Sequence, residues 1–206
     1  MGMTERLKNI KPPRTLGLYP TPEWATAELL QRLPLESGDV ILDPASGDSA
    51  IAKVIKEFSS RLCVVTNDID SHRQADFHLD MTLRESWKWI ERSTGGFDWA
   101  IGNPPLHSAP PPGEKTGRPI VDFFVQMGYQ HARKGIVFLL RKSFTEPVGN
   151  RRVWLQTSTH EQFLELRLEP IRFKGKRRSA ESARDWYGWR HGHTGGFVPE
   201  YIWSTP

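Results

Sequence analysis

The chain has 206 residues, of which 37% are hydrophobic and 25% charged, and its formal net charge is +4. That length suits one α/β domain spanning 1–206 with a real core, and no apolar run approaches a membrane span. The start, MGMTERLKNIKPPR, lacks the apolar stretch of a secretory signal. The single cysteine, Cys63, rules out an internal disulfide and reads as a buried apolar residue in a reducing, cytoplasmic setting.

Residues 1–17 form a basic N-terminal extension. Thr21 is then placed to cap a helix that Pro22 enters in its first turn, running to about Leu33. Residues 40–52, VILDPASGDSAIA, read as strand, tight small-residue loop and helix. The strand Val40–Leu42 ends on Asp43, and a helix from Ala50 to Phe58 follows the loop. In that geometry a ligand approaches backbone N–H groups at a helix start. Gly47 stands alone, so the glycine fingerprint of dinucleotide folds is absent. A second strand, Leu62 to Thr66, closes on Asp68, at the spacing that suits a ribose diol. A third apolar-to-acidic junction is Phe77-His78-Leu79-Asp80.

Residues 97–106, FDWAIGNPPL, are the most informative run. Phe97 to Ile101 suits a buried strand. Gly102 releases the backbone, and Pro104 and Pro105 fix φ and remove two N–H donors. A stiff turn at a strand's carboxyl end results, with the Asn103 side chain and the Pro104 carbonyl directed outward. Two rigid acceptors side by side can grip an exocyclic NH2 group. Taken alone, the run is equally well a plain proline turn.

Beyond it, residues 107–119 (HSAPPPGEKTGRP) form a Pro/Gly-rich loop. A helix from about Ile120 to Arg133 leads into the strand GIVFLLR (135–141), whose continuous apolar run suits a buried parallel strand. SFTEPVGNRRVWLQTS is expected to carry a short helix, FLELRLEP (163–170) a further strand, and EYIW (200–203) the closing one. Between the last two lies a basic-aromatic loop, 171–199. From Ile171 onward there are seven basic residues against three acidic ones, an excess equal to the net charge of the whole chain. Arg172, Lys174, Lys176, Arg177 and Arg178, interleaved with Phe173, Trp186, Tyr187 and Trp189, suit a phosphate backbone and exposed bases. The alternative is a solvated tail whose tryptophans tuck onto the core. His191 and His193 have no cysteine or acidic partner nearby in sequence, so no metal site is expected.

Taken together, DPASGDS, TNDID, HLDMT and IGNPPL resemble the four ordered motifs of S-adenosylmethionine-dependent amino-methyltransferases. LYPTPEWATAELL (18–30) resembles the extra N-terminal motif of adenine-specific (N6) DNA methyltransferases, and the overall brevity is similar to the small phage-type members. The resemblance covers roughly residues 18–145. It implies a Rossmann-like methyltransferase fold, a mostly parallel doubly wound sheet whose last strand, near Tyr201 to Trp203, runs antiparallel. It also implies S-adenosylmethionine as cofactor, bound by Tyr19, Thr21, Pro22, Asp43, Pro44, Ala45, Gly47, Asp68, Ile69, Asp80 and Asn103. Asn103, Pro104, Pro105 and Leu106 form the implied catalytic turn. The chain departs from the pattern at Ser49, where a second glycine is usual, and at Leu106, where an aromatic residue stacks on the extruded base.

The expected activity is methylation of the exocyclic amino group of adenine in DNA by a monomer, with RNA as a possible substrate. Protein N5-glutamine methylation, RNA amino-group methylation and a non-catalytic nucleic-acid-binding module on the same fold remain alternatives.

Overall fold

The computed structural model describes residues 20–107, 119–146, 151, 153–155, 161–169, 171 and 183–204. The described residues form a seven-stranded sheet flanked by helices on both faces. In chain order the elements are α1 (Glu23–Leu30), β1 (Val40–Asp43), α2 (Ala50–Phe58), β2 (Cys63–Thr66), α3 (Arg84–Thr94), β3 (Trp99–Gly102), α4 (Val121–His131), β4 (Gly135–Arg141), β5 (Gln162–Leu168), β6 (Arg184–Arg190) and β7 (Glu200–Ile202). The sheet order is β2-β1-β3-β4-β6-β5-β7.

Alternation along the strands divides the core into two layers. Ile41, Trp99, Ile101, Val137, Leu139 and Trp186 pack with Ala25 and Leu29 of α1 and Ile51 and Ile55 of α2. Leu42, Ala100, Ile136, Phe138, Leu140, Tyr187 and Trp189 pack with Trp87 and Ile90 of α3 and Phe124 and Val125 of α4. β3 and the first six residues of β4 are buried throughout, as strands covered on both faces must be.

The fold is the expected Rossmann-like methyltransferase fold, a mostly parallel, doubly wound sheet. β1 pairs in parallel with β2 and β3, and β3 with β4. The antiparallel strand is present but is not the closing one. It is β6, which runs against both β4 and β5, while β7 lies parallel to β5 at the sheet edge.

This corrects the reading of 171–199 as a loop, because residues 184–190 are an inner strand. Trp186, Tyr187 and Trp189 are buried and offer no face to a base. Trp186 Nε1 instead donates to the Ala25 carbonyl at 2.9 Å.

Cys63 is exposed, at the start of an edge strand, so its burial gives no argument about redox compartment. The Phe77–Asp80 junction is not a strand. It meets the residue after β2 through one parallel bridge, Asn67 to Phe77. The expected short helix appears as a 3-10 turn over Lys142–Thr145 and helical residues at 153–155. No helix among the described residues is long and apolar enough to cross a membrane.

Candidate active site

Parallel strands expose their carboxyl ends along one edge, and three of the motif loops leave the sheet there. Asp43 ends β1, Asn67 and Asp68 follow β2, and Asn103 follows β3. Because β6 runs the other way, its first residue, Arg184, sits at this same edge, opposite Arg141 at the end of β4.

Asn103 is held at both ends of its amide. Its Nδ2 donates to Thr21 Oγ1 at 3.2 Å, and its Oδ1 accepts from Arg184 Nη1 at 2.5 Å. Thr21 therefore does not cap α1, which has no side-chain cap; Pro22 precedes its first turn, and the Pro22 carbonyl accepts from Ala25 and Thr26. The helix also ends at Leu30, ahead of Leu33. Pro104 is buried and Pro105 partly so. Leu106 is partly buried against the α3/α4 layer, and its carbonyl accepts from Ile120 N–H at 3.1 Å.

Gly102 serves a different purpose from the one its sequence suggests. Its φ is not positive. A Cβ there would stand 2.9 Å from Asp43 Oδ1 and 3.2 Å from Pro44 Cδ. The glycine lets the β1 loop and the Asn-Pro-Pro turn lie against each other.

Asp43 is buried, and burial raises its carboxyl to about 7, with the Ala45 N–H opposing and the Asp68 charge adding to the rise. Its Oδ2 and the hydroxyl of Ser46 are buried without hydrogen-bond partners among the described residues. Orphaned polar atoms in a motif loop are what a polar ligand would satisfy. Asp68 accepts from Gly47 N–H and Asp70 N–H, both at 2.8 Å. It ties the β2 end to the glycine loop and keeps spare acceptor capacity. Asp80 accepts from the backbone and hydroxyl of Thr82, folding the turn that leads into α3.

Gly47 and Ser49 both have positive φ, 58° and 61°. Ser49, where the resembled motif has a second glycine, is thus left-handed, like Gly47.

Sequence reasoning missed Asn67 and Arg184. Asn67 donates to the carbonyls of Pro44 and Leu79 and accepts from Leu79 N–H, joining three motif segments. Its place between a strand and an acidic residue was the available signal. Arg184 carried none, since its partner lies 81 positions away. Tyr19, Arg172, Lys174, Lys176, Arg177 and Arg178 lie outside the described residues, as do most of the 107–119 loop and the N-terminal extension. No cluster of three metal-ligating side chains occurs among the described residues.

No protein-family model matches the sequence, and no curated protein matches it. Solved structures do match its fold. The methyltransferase subunit of a type I restriction-modification system from Streptococcus thermophilus superposes with a TM-score of 0.64 at 13% identity, over 93% of this chain and 48% of that one. A Vibrio vulnificus YJ016 protein assigned as the modification subunit of a type I restriction enzyme gives 0.62 at 12%, over 92% and 48%. A Listeria monocytogenes protein assigned to the class I S-adenosylmethionine-dependent methyltransferases gives 0.57 at 12%, over 88% and 63%. The chain spans about half the length of the two restriction-system subunits. At these identities the likeness is one of fold.

Proposed function

We propose that the protein is an S-adenosylmethionine-dependent methyltransferase acting on the exocyclic amino group of adenine in DNA. The observation that carries this reading is the placement of Asn103. It sits on a stiff turn at the carboxyl edge, its amide held by Thr21 and Arg184 and its turn packed on Asp43 through Gly102. Ligands of open α/β sheets bind at that edge. The shared fold with restriction-modification methyltransferase subunits supports DNA as the substrate.

The residues present fit the cofactor. Asp43 Oδ2 and Ser46 Oγ, buried and unpartnered among the described residues, suit the polar groups of its methionine half. Asp68 would hold the ribose hydroxyls, Ile69 would pack on the adenine, and Asp80 would hold the adenine's amino group. Pro44, Ala45 and Gly47 would line the loop and Thr21 and Pro22 the methionine side, the role that the sequence resemblance also gives Tyr19.

Bound there, S-adenosylmethionine supplies an electrophilic methyl group on a sulfonium. Asn103 Oδ1 and the Pro104 carbonyl accept the two N–H bonds of the target amine, which localises the nitrogen lone pair and stabilises the charge that develops on it. Pro105 stiffens the turn and Leu106 bounds the base pocket. On transfer the amine would give up one proton to solvent. A base in a duplex cannot reach this edge, so the target is flipped or single-stranded. Arg172, Lys174, Lys176, Arg177 and Arg178, between β5 and β6, supply phosphate contacts.

A non-catalytic nucleic-acid-binding module is the second reading, favoured by the Arg184 contact that already uses one lone pair of Asn103 Oδ1. Incubation with labelled S-adenosylmethionine and DNA, RNA or cell protein, side by side, decides between them. Label in DNA as N6-methyladenine is expected. Label only in RNA or protein, or in none of them, overturns the proposal.

A further inference from the structure

The last strand carries bulky apolar side chains into water. Tyr201 is 60% exposed and Trp203 68%, with Val198, just before β7, at 83%. Large apolar groups exposed singly are ordinary, whereas several in so short a segment mark an interaction surface. β7 is parallel to β5, and β5 and β4 both run against β6, so β7 points the same way as β3. Its end, with Trp203 next in the chain, therefore lies along the carboxyl edge that carries Asn103.

The face is fixed as well. Leu140, Asp185, Arg167 and Tyr201 are successive register partners across β4, β6, β5 and β7, and so project from one face. Leu140 belongs to the α3/α4 layer, against which Leu106 also packs. Ile202, between Tyr201 and Trp203, turns to the α1/α2 layer, which leaves both aromatic residues on the Leu106 side. The Ile202 carbonyl accepts from Glu169 N–H at 3.2 Å, and Ser204 N–H donates to Glu169 Oε1 at 2.9 Å. Those bonds hold the Trp203 backbone beside the end of β5. β3 and β7 are four strand spacings apart, about 19 Å across the sheet, close to the length of about six stacked nucleotides.

Charge decides which partner this surface fits. Arg167 Nη1 donates to Tyr201 Oη at 2.8 Å, with its Cζ 5.4 Å from the ring centroid, while its Nε pairs with Glu165 at 2.7 Å. Lys142, just after β4, reaches the Leu168 carbonyl of β5 at 3.4 Å and stands 3.7 Å from the buried Asp185. A second cation thus lies between Asn103 and Tyr201 in the order of the strands. The segment joining β5 to β6, residues 169–183, carries five basic residues and two acidic ones. Aromatic faces flanked by cations suit a single strand, whose phosphates meet the charges while its bases stack. A second copy of the chain would bring the same positive balance against itself.

We infer that Tyr201 and Trp203 are a stacking surface for bases of a single nucleic-acid strand, several nucleotides from the one at Asn103. The inference rests on the nucleic-acid reading for its ligand, and the surface lies apart from the Asn-Pro-Pro turn. Stacking tolerates any base, so this surface supplies affinity that grows with strand length and little recognition of sequence.

The test uses the full chain and a fluorescently labelled single-stranded DNA dodecamer with one central adenine, titrated at several monovalent salt concentrations. S-adenosylhomocysteine affinity by calorimetry and self-association by sedimentation are measured on the same preparations. Trp203→Ala is expected to weaken dodecamer binding about tenfold, the scale of losing one stacked base. The slope of log affinity against log salt should stay at the parental value, because no charge is removed. Trp203→Phe should keep most of the affinity, and Tyr201→Ala should lose it in the same direction as Trp203→Ala. Parental affinity in a folded Trp203→Ala protein would overturn the stacking surface, as would a parent that does not bind the dodecamer. Self-association of the parent that Trp203→Ala abolishes, with dodecamer affinity unchanged, would assign the face to a second copy and overturn the inference. A parent that binds the dodecamer through Trp203 but does not bind S-adenosylhomocysteine would support the surface and contradict the methyltransferase reading alone.

Discussion

Gly102 and Asp43 stand so close that a methyl group on the glycine would meet the carboxylate Oδ1 at 2.9 Å. The contact joins the loop after β1 to the turn after β3. Gly102→Ala must displace either a buried carboxylate or the proline ring of Pro44. The expected cost is about 1–3 kcal/mol of stability, the scale of overpacking a close-fitted site. It should appear as a lower denaturation midpoint, with weaker S-adenosylmethionine binding in the folded fraction.

Asp43 should make stability depend on pH. Burial raises its folded-state carboxyl to about 7, above the unfolded value of 3.8. Between those values the native state holds the proton more tightly than the unfolded chain, so stability falls as pH rises across that window. Asp43→Asn removes this contribution. Thermal melting without cofactor is expected to show a smaller loss of Tm from pH 4 to pH 7 in the variant than in the parent. Parallel pH profiles would contradict the assignment.

Ser49 occupies a left-handed conformation, φ 61° and ψ 29°, where a side chain is disfavoured. Ser49→Gly relieves that strain but loses the exposed hydrogen bond from Oγ to the Gln74 carbonyl. A net gain of about 0.5–1 kcal/mol is expected from urea unfolding, since the left-handed penalty exceeds one exposed hydrogen bond. Ser49→Ala keeps the strain and loses the bond, and should be less stable than the parent.

Thr21 is the case in which a local rule and a tertiary contact compete. Its position before a helix predicts a cap, yet its hydroxyl accepts from Asn103. Thr21→Val should therefore leave α1 helicity by circular dichroism almost unchanged. Methyl transfer at saturating S-adenosylmethionine should fall about tenfold, because the Asn103 amide loses its Thr21 anchor.

The strands legible in the sequence are those whose burial comes from apolar side chains alone. GIVFLLR is β4 to the residue, and the runs before Asp43 and Asn103 are β1 and β3 within a residue or two. β6 was hidden because RDWYGWR carries two charges at its start. Their partners are distant in sequence: Asn103 for Arg184, and the Leu168 N–H for Asp185. Tertiary hydrogen bonds make those charges tolerable at a buried strand end, and no local pattern records them. α3 carries little sequence signal for a related reason, since Trp87 and Ile90 are its only buried apolar residues. In the site, Asp43, Asp68 and Asn103 were visible because short motifs end strands on them. Asn67 and Arg184 act through partners that only the folded sheet brings near.

The most direct test of the central claim is methyl transfer by Asn103→Ala, measured with saturating S-adenosylmethionine and adenine-containing DNA alongside calorimetric cofactor affinity. Cofactor affinity is expected to change little, because the side chain addresses the target amine. Transfer is expected to fall about 100-fold or more, the scale of removing a preorganised transition-state acceptor. A folded Asn103→Ala protein that methylates as fast as the parent would make the Asn-Pro-Pro turn purely structural and contradict the account.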